Sequence, residues 1–74
     1  MHEVSVTSRE GLPTQLLWKK QRWNISEIAD QWRETGRWWE GEAMCEFFLI
    51  VVVSGSFLLC RDLTTDAWYA KPVQ

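Results

Sequence analysis

The chain has 74 residues, 46% of them hydrophobic, and a formal net charge of −2. That length allows one domain, and a near-neutral balance speaks against a protein whose main task is gripping nucleic acid, because phosphate contacts call for a clear positive excess. The supply of 6 Trp, 3 Phe and 1 Tyr is too aromatic for a disordered chain. A domain this small buries only about 60% of the surface its unfolded form exposes. Its aromatic side chains, each able to bury roughly 150–250 Å², are therefore expected to supply the core. Residues 14–73 are expected to form that core, with 1–13 a less ordered N-terminal strand and turn of the same domain.

In chain order, Val4 to Arg9 alternates well enough for a strand, and Gly11-Leu12-Pro13 breaks it. Gln15 to Trp18 and Arg22 to Ser26 flank the polar tip Lys19-Lys20-Gln21, which predicts a hairpin. The stretch 26–34 admits two readings. Ile25, Ile28, Ala29 and Trp32 follow helical spacing, with Ser26 or Asn24 as a cap. The same residues also suit a bent strand with a bulge near Ser26-Glu27. The bent strand is favoured, because a stripe of two turns makes a weak helix. After a turn at Thr35-Gly36, Met44 to Val53 is the strongest strand, Ser56 to Arg61 its hairpin partner, and Ala67 to Lys71 a last strand before Pro72. The expected fold is mainly β: a small antiparallel sheet or partly open barrel of five to six strands, with one short helix near 26–34 as the other reading.

A two-residue loop at Ser54-Gly55 would place Leu49 opposite Cys60. Cys45 would then lie four residues further on, on the order of 13 Å away at about 3.4 Å per residue. A disulfide needs Cα atoms within roughly 7 Å, so both thiols are expected to be free. The run Phe47 to Val53 does not alternate. One-sided antiparallel sheets normally do, so both faces of this strand call for cover, by barrel closure, a folded-over segment or a second subunit. A homodimer is one expectation that follows.

Catalytic machinery is not evident. The single histidine is His2, next to the terminus, and no Ser–His–Asp or Cys–His set can be built around it. Two cysteines and one terminal histidine do not make a zinc spacing, and no Gly-rich phosphate loop occurs; no cofactor and no metal are expected. Glu40, Glu42 and Glu46 share a strand face if the strand starts early, and they read best as a solvated acidic face. Met1-His2-Glu3 opens the chain without an apolar stretch behind it, and the longest apolar run has seven residues. A spanning helix needs about 20, so a cytoplasmic protein without membrane contact is expected.

Two places stand out as candidate binding sites. Trp18-Lys19-Lys20-Gln21-Arg22-Trp23 sets basic residues between tryptophans, the combination used to track phosphates and stack bases of single strands. The plainer reading is a hairpin tip kept soluble by charge, with Trp18 and Trp23 turned inward. Arg37-Trp38-Trp39 offers residue types typical of interface anchors, against a plainer role in core or cation–π packing. Arg61-Asp62 reads as a structural pair at a strand end.

Taken together, Trp18, the Lys19–Arg22 tip, Trp23-x-Ile25-x-Glu27-Ile28, Trp32-Arg33, Gly36-Arg37-Trp38-Trp39-x-Gly41-Glu42, Phe47-Phe48, Arg61-Asp62-Leu63 and Trp68-Tyr69 form one pattern. It resembles an uncharacterised family of short, tryptophan-rich bacterial proteins. It is also similar to the C-terminal accessory segment of the Y-family DNA polymerase-like subunit of the bacterial mutasome. The resemblance covers roughly residues 14–73, and the chain departs from it by being highly apolar at Leu49–Val53. It implies an accessory role: a non-catalytic interaction module linked to DNA damage tolerance or translesion synthesis. Its expected partners are proteins, among them polymerase-like proteins and a second copy. The other reading is weak binding of single-stranded nucleic acid through hairpin 18–23.

Overall fold

The computed structural model describes residues 2–35 and 44–73. Among these every regular element is a strand: β1 (His2–Arg9), β2 (Leu12–Trp18), β3 (Gln21–Asn24), β4 (Glu27–Thr35), β5 (Met44–Val52), β6 (Gly55–Asp62) and β7 (Trp68–Val73). The sheet has seven strands in the order β3-β2-β1-β7-β6-β5-β4, two more than the lower expectation and one more than the upper. Every pairing is antiparallel.

The order hides how the sheet curls. Its two edge strands, β3 and β4, are consecutive in the chain and separated only by Ile25 and Ser26. The Ile25 amide donates to the Thr14 carbonyl at 3.0 Å, and the Ser26 amide donates to the Val51 carbonyl at 2.9 Å. One bent stretch thus leaves β2 and joins β5 within two residues. Opposite it, β1 performs the same change of partner, with His2–Val4 on β7 and Ser5–Arg9 on β2. These two corners curl the sheet into a half-barrel and press its concave side together.

Residues 26–34 are therefore strand, not helix. The helical spacing of Ile25, Ile28, Ala29 and Trp32 has another cause: the register shifts between Ile28 and Asp30, leaving Ala29 as an extra residue. A bulge of this kind reverses which face the following side chains occupy. Ile28 packs against the core, and Trp32, four residues on, points outward. The bend is at Ile25-Ser26, and the bulge expected near Ser26-Glu27 lies instead at Ala29.

Leu16, Phe48, Ile50 and Leu59 are fully buried on the concave side, with Val52, Phe57, Trp68 and Ala70 around them. Val4, Val6, Trp18, Trp23, Ile25 and Ile28 pack against that cluster. Two prolines lie within strands, against the expected breaks. Pro13 stands where the β1–β2 register shifts, a position that tolerates a missing N–H. At Pro72, β7 has run past His2, its last partner on β1, so one edge is free for a proline.

The β5–β6 register differs from the expected one. Val52 faces Gly55, Ile50 faces Phe57, and Phe47 faces Cys60, so the loop is Val53-Ser54. Gly55, at φ 154°, follows the loop instead of forming it; that conformation is open to glycine almost alone. Both cysteines are free, as expected, but not for the expected reason. Cys45 lies two residues from the partner of Cys60 rather than four, so the thiols are diagonal neighbours on one face.

Candidate functional site

At the β2–β3 hairpin, Trp18 pairs with Gln21, so the tip is Lys19-Lys20 alone. Both lysines have left-handed backbones, at φ 50° and 65°. Two successive positive φ values mark the tight turn whose twist suits a two-residue hairpin, a place usually held by Asn-Gly. Lys19, Lys20 and Arg22 are exposed. The tryptophans beside them are turned toward the core. Trp18 lies 5.6 Å from Phe57 and 5.8 Å from His2 between ring centroids. Trp23 packs on the core cluster, and its indole N–H is buried without a partner. Lys19 Nζ stands 5.8 Å from the Trp18 ring centroid. The tip thus presents cations, with Trp18 half-buried beneath them. Arg37, Trp38 and Trp39, like Glu40 and Glu42, lie outside the described residues.

Glu46 is not part of a solvated acidic face. It is 6% exposed on the concave side, where its carboxylate accepts from Arg33 Nε at 3.1 Å and from Gln31 Nε2 at 3.3 Å. The Arg61-Asp62 pair is also corrected. Arg61 binds Asp66 at 2.7 Å and lies 5.7 Å from the Trp68 ring centroid. Asp62 instead accepts from the Thr64 and Thr65 amides and shapes the β6–β7 turn. Among the described residues, no group of three or more His, Cys, Asp or Glu is arranged to hold a metal ion. No described helix is long and apolar enough to cross a membrane.

The convex face of β4–β7 carries a second surface, which reading the sequence for motifs missed. Residues directly opposite one another in a ladder share a face. Trp32 faces Phe47, Leu49 faces Leu58, and Cys60 faces both Phe47 and Tyr69. With Val51 these residues form one apolar surface on the side away from the core, each half-buried except the buried Cys60. The Trp32 and Phe47 rings stack at 5.5 Å with 11° between planes. The unalternating run Phe47–Val53 was the one sequence signal for this surface: its even-numbered residues fill the core, and Phe47, Leu49 and Val51 face out.

The thiols belong to this face. Burial raises the Cys60 thiol to about 12, helped by a hydrogen bond with Cys45 and by the charges of Cys45, Asp62 and Glu34. All of these disfavour a thiolate, and Cys60 is buried.

A family model described as a domain of unknown function, DUF6504, matches residues 2–70. The chain belongs to the DUF6504 family. This match spans β1 to the first half of β7, so the family's unit is the whole curled sheet and not the hairpin or one edge. No curated protein and no solved structure matches this member of DUF6504.

Proposed function

We propose that this DUF6504 domain is a non-catalytic protein-interaction module that engages its partner through the convex face of β4–β7. The observation that supports this reading is the apolar row Trp32, Phe47, Leu49, Leu58 and Tyr69 on the side of the sheet that does not line the core. A contiguous row of half-buried apolar side chains on the face opposite the core is a candidate contact surface. The resemblance to the accessory segment of the mutasome's polymerase-like subunit supports a cytoplasmic, bacterial setting in DNA damage tolerance, with polymerase-like proteins or a second copy as partners. A purified polymerase-like subunit titrated calorimetrically into the domain tests it. Binding is expected, and Leu49→Ser together with Leu58→Ser should abolish it while leaving the fold's circular dichroism unchanged. Binding that survives both changes would move the contact elsewhere.

The second reading is weak single-stranded nucleic-acid binding by hairpin 18–23. It is favoured by one observation, the exposed Lys19-Lys20 pair held in a left-handed turn with Arg22 beside it. With Trp18 and Trp23 packed on the core, this binding would rest on charge more than on stacking. Labelled single-stranded DNA at low and high salt tests it: affinity should fall steeply with salt and vanish when Lys19, Lys20 and Arg22 are made neutral. An absence of binding at low salt removes this reading.

A further inference from the structure

The ladder registers that put the apolar row on the convex face also assign the charges around it. Glu27 faces Val51, Asp30 faces Leu49, and Glu34 faces Cys45, so three carboxylates of β4 share that face with Trp32 among them. On the far side Glu3 faces Tyr69. Lys71, opposite Leu58, is the one described cation on this face of β4–β7. The four carboxylates and the lysine are all exposed. The other cations of these strands are engaged: Arg33 with Glu46 and Arg61 with Asp66, both at the concave end of the sheet. The exposed cations Lys19, Lys20 and Arg22, which form no ion pair among the described residues, stand at the tip of the β2–β3 hairpin. The described charges thus separate into an acidic, apolar convex face and a basic tip.

Opposite-sign potentials across an interface speed encounter and exclude wrong partners, whereas like charges brought together oppose it. Two copies meeting face to face on this surface would set one acidic border against another. An anionic nucleic acid is disfavoured there for the same reason. From this charge pattern, and resting on the interaction reading above, we propose that the convex face of β4–β7 binds a cationic amphipathic polypeptide segment of a partner protein. Its apolar side chains would lie on Phe47, Leu49 and Leu58, and its lysines or arginines would reach Asp30, Glu34 and Glu27. Asp30 Oδ1 accepts the Gln31 amide at 2.8 Å, and its other carboxylate oxygen has no partner among the described residues.

Three labelled synthetic peptides of equal length test this by fluorescence anisotropy against the full chain: one of leucine and lysine, one of leucine and glutamate, and one of lysine and serine. The leucine–lysine peptide is expected to bind at least about tenfold more tightly than either control and to weaken as salt rises. Asp30→Asn with Glu34→Gln should weaken it several-fold, and Leu49→Ser with Leu58→Ser should remove it. Neutralising Lys19, Lys20 and Arg22 should leave it unchanged or slightly tighter. Equal binding of the leucine–glutamate peptide would overturn the charge selection and leave the interaction reading standing. So would a concentration-dependent dimer in sedimentation that Leu49→Ser with Leu58→Ser disrupts, because the occupant would then be a second copy. Equal binding of the lysine–serine peptide, or binding that survives the leucine changes, would overturn the assignment to this face altogether.

Discussion

Lys19 and Lys20 occupy left-handed backbone, φ 50° and 65°, which costs an L residue roughly 1–2 kcal/mol. Asn-Gly would hold the same turn with less strain. Lys19→Asn with Lys20→Gly is therefore expected to raise the denaturation midpoint by the equivalent of about 1 kcal/mol, with an unchanged dependence on denaturant. A drop would mean that the lysine side chains, and the Lys19–Trp18 contact with them, stabilise more than the backbone strain costs. At Cys60 the raised thiol sets a pH dependence with a definite sign. Its folded value of about 12 lies above the ordinary 9.0, so the stabilisation is intact below pH 9 and declines as pH rises toward 12. Over that window the domain should lose stability, and a Cys60→Ala variant should lose less. A thiol reagent at neutral pH should label the half-buried Cys45 well before Cys60. Equal labelling would place Cys60 in a more open environment than its packing implies.

Strand β5 separates two roles by parity. Phe48 is fully buried, whereas its neighbour Leu49 faces outward. Phe48→Ala is expected to cost about 3–5 kcal/mol, enough to unfold much of a marginal domain. Leu49→Ser should cost clearly less than Phe48→Ala, because Leu49 is only half-buried and no described strand layers over its face. Chemical denaturation of both variants decides this, and a comparable loss at Leu49 would mean that the convex face is covered. Arg33 is the cation that faces the buried Glu46. Arg33→Ala should destabilise by about 1–3 kcal/mol by leaving a carboxylate short of a partner in the core. This element scale is also where the sequence was most and least legible. Alternation and turn residues located six of the seven described strands, and the poor length of the helical stripe correctly favoured a bent strand at 26–34 for the other, although the expected count was five to six. The strand ends and the β5–β6 register were not legible, because Gly55 suits a loop by composition but works just after one. The solvated reading of Glu46 failed because its cover, Arg33 and Gln31, comes from a strand whose faces are reversed by the Ala29 bulge. No local pattern announces such a reversal.

At the scale of the whole molecule, the half-barrel sorts aromatic and charged residues by side. Trp18, Trp23 and Trp68, three of the four described tryptophans, serve the concave core. Trp32 serves the convex face. The inward turn of Trp18 and Trp23 was legible as the plainer reading of a charged hairpin tip, and both pack on the core cluster; their value as exposed binding anchors falls with it. The convex face itself was legible only as a missing alternation in Phe47–Val53. Its acidic border required the β4 register.

Contact with the partner is expected at that convex face. Methyl resonances of the labelled domain, recorded while a purified polymerase-like subunit is added, test it in one experiment. Leu49, Val51 and Leu58 should shift or broaden, while the core methyls of Leu16, Ile50 and Leu59 and the amides of Lys19–Arg22 stay largely in place. Perturbation centred on the Lys19–Arg22 hairpin, with Leu49 and Leu58 unmoved, would contradict it.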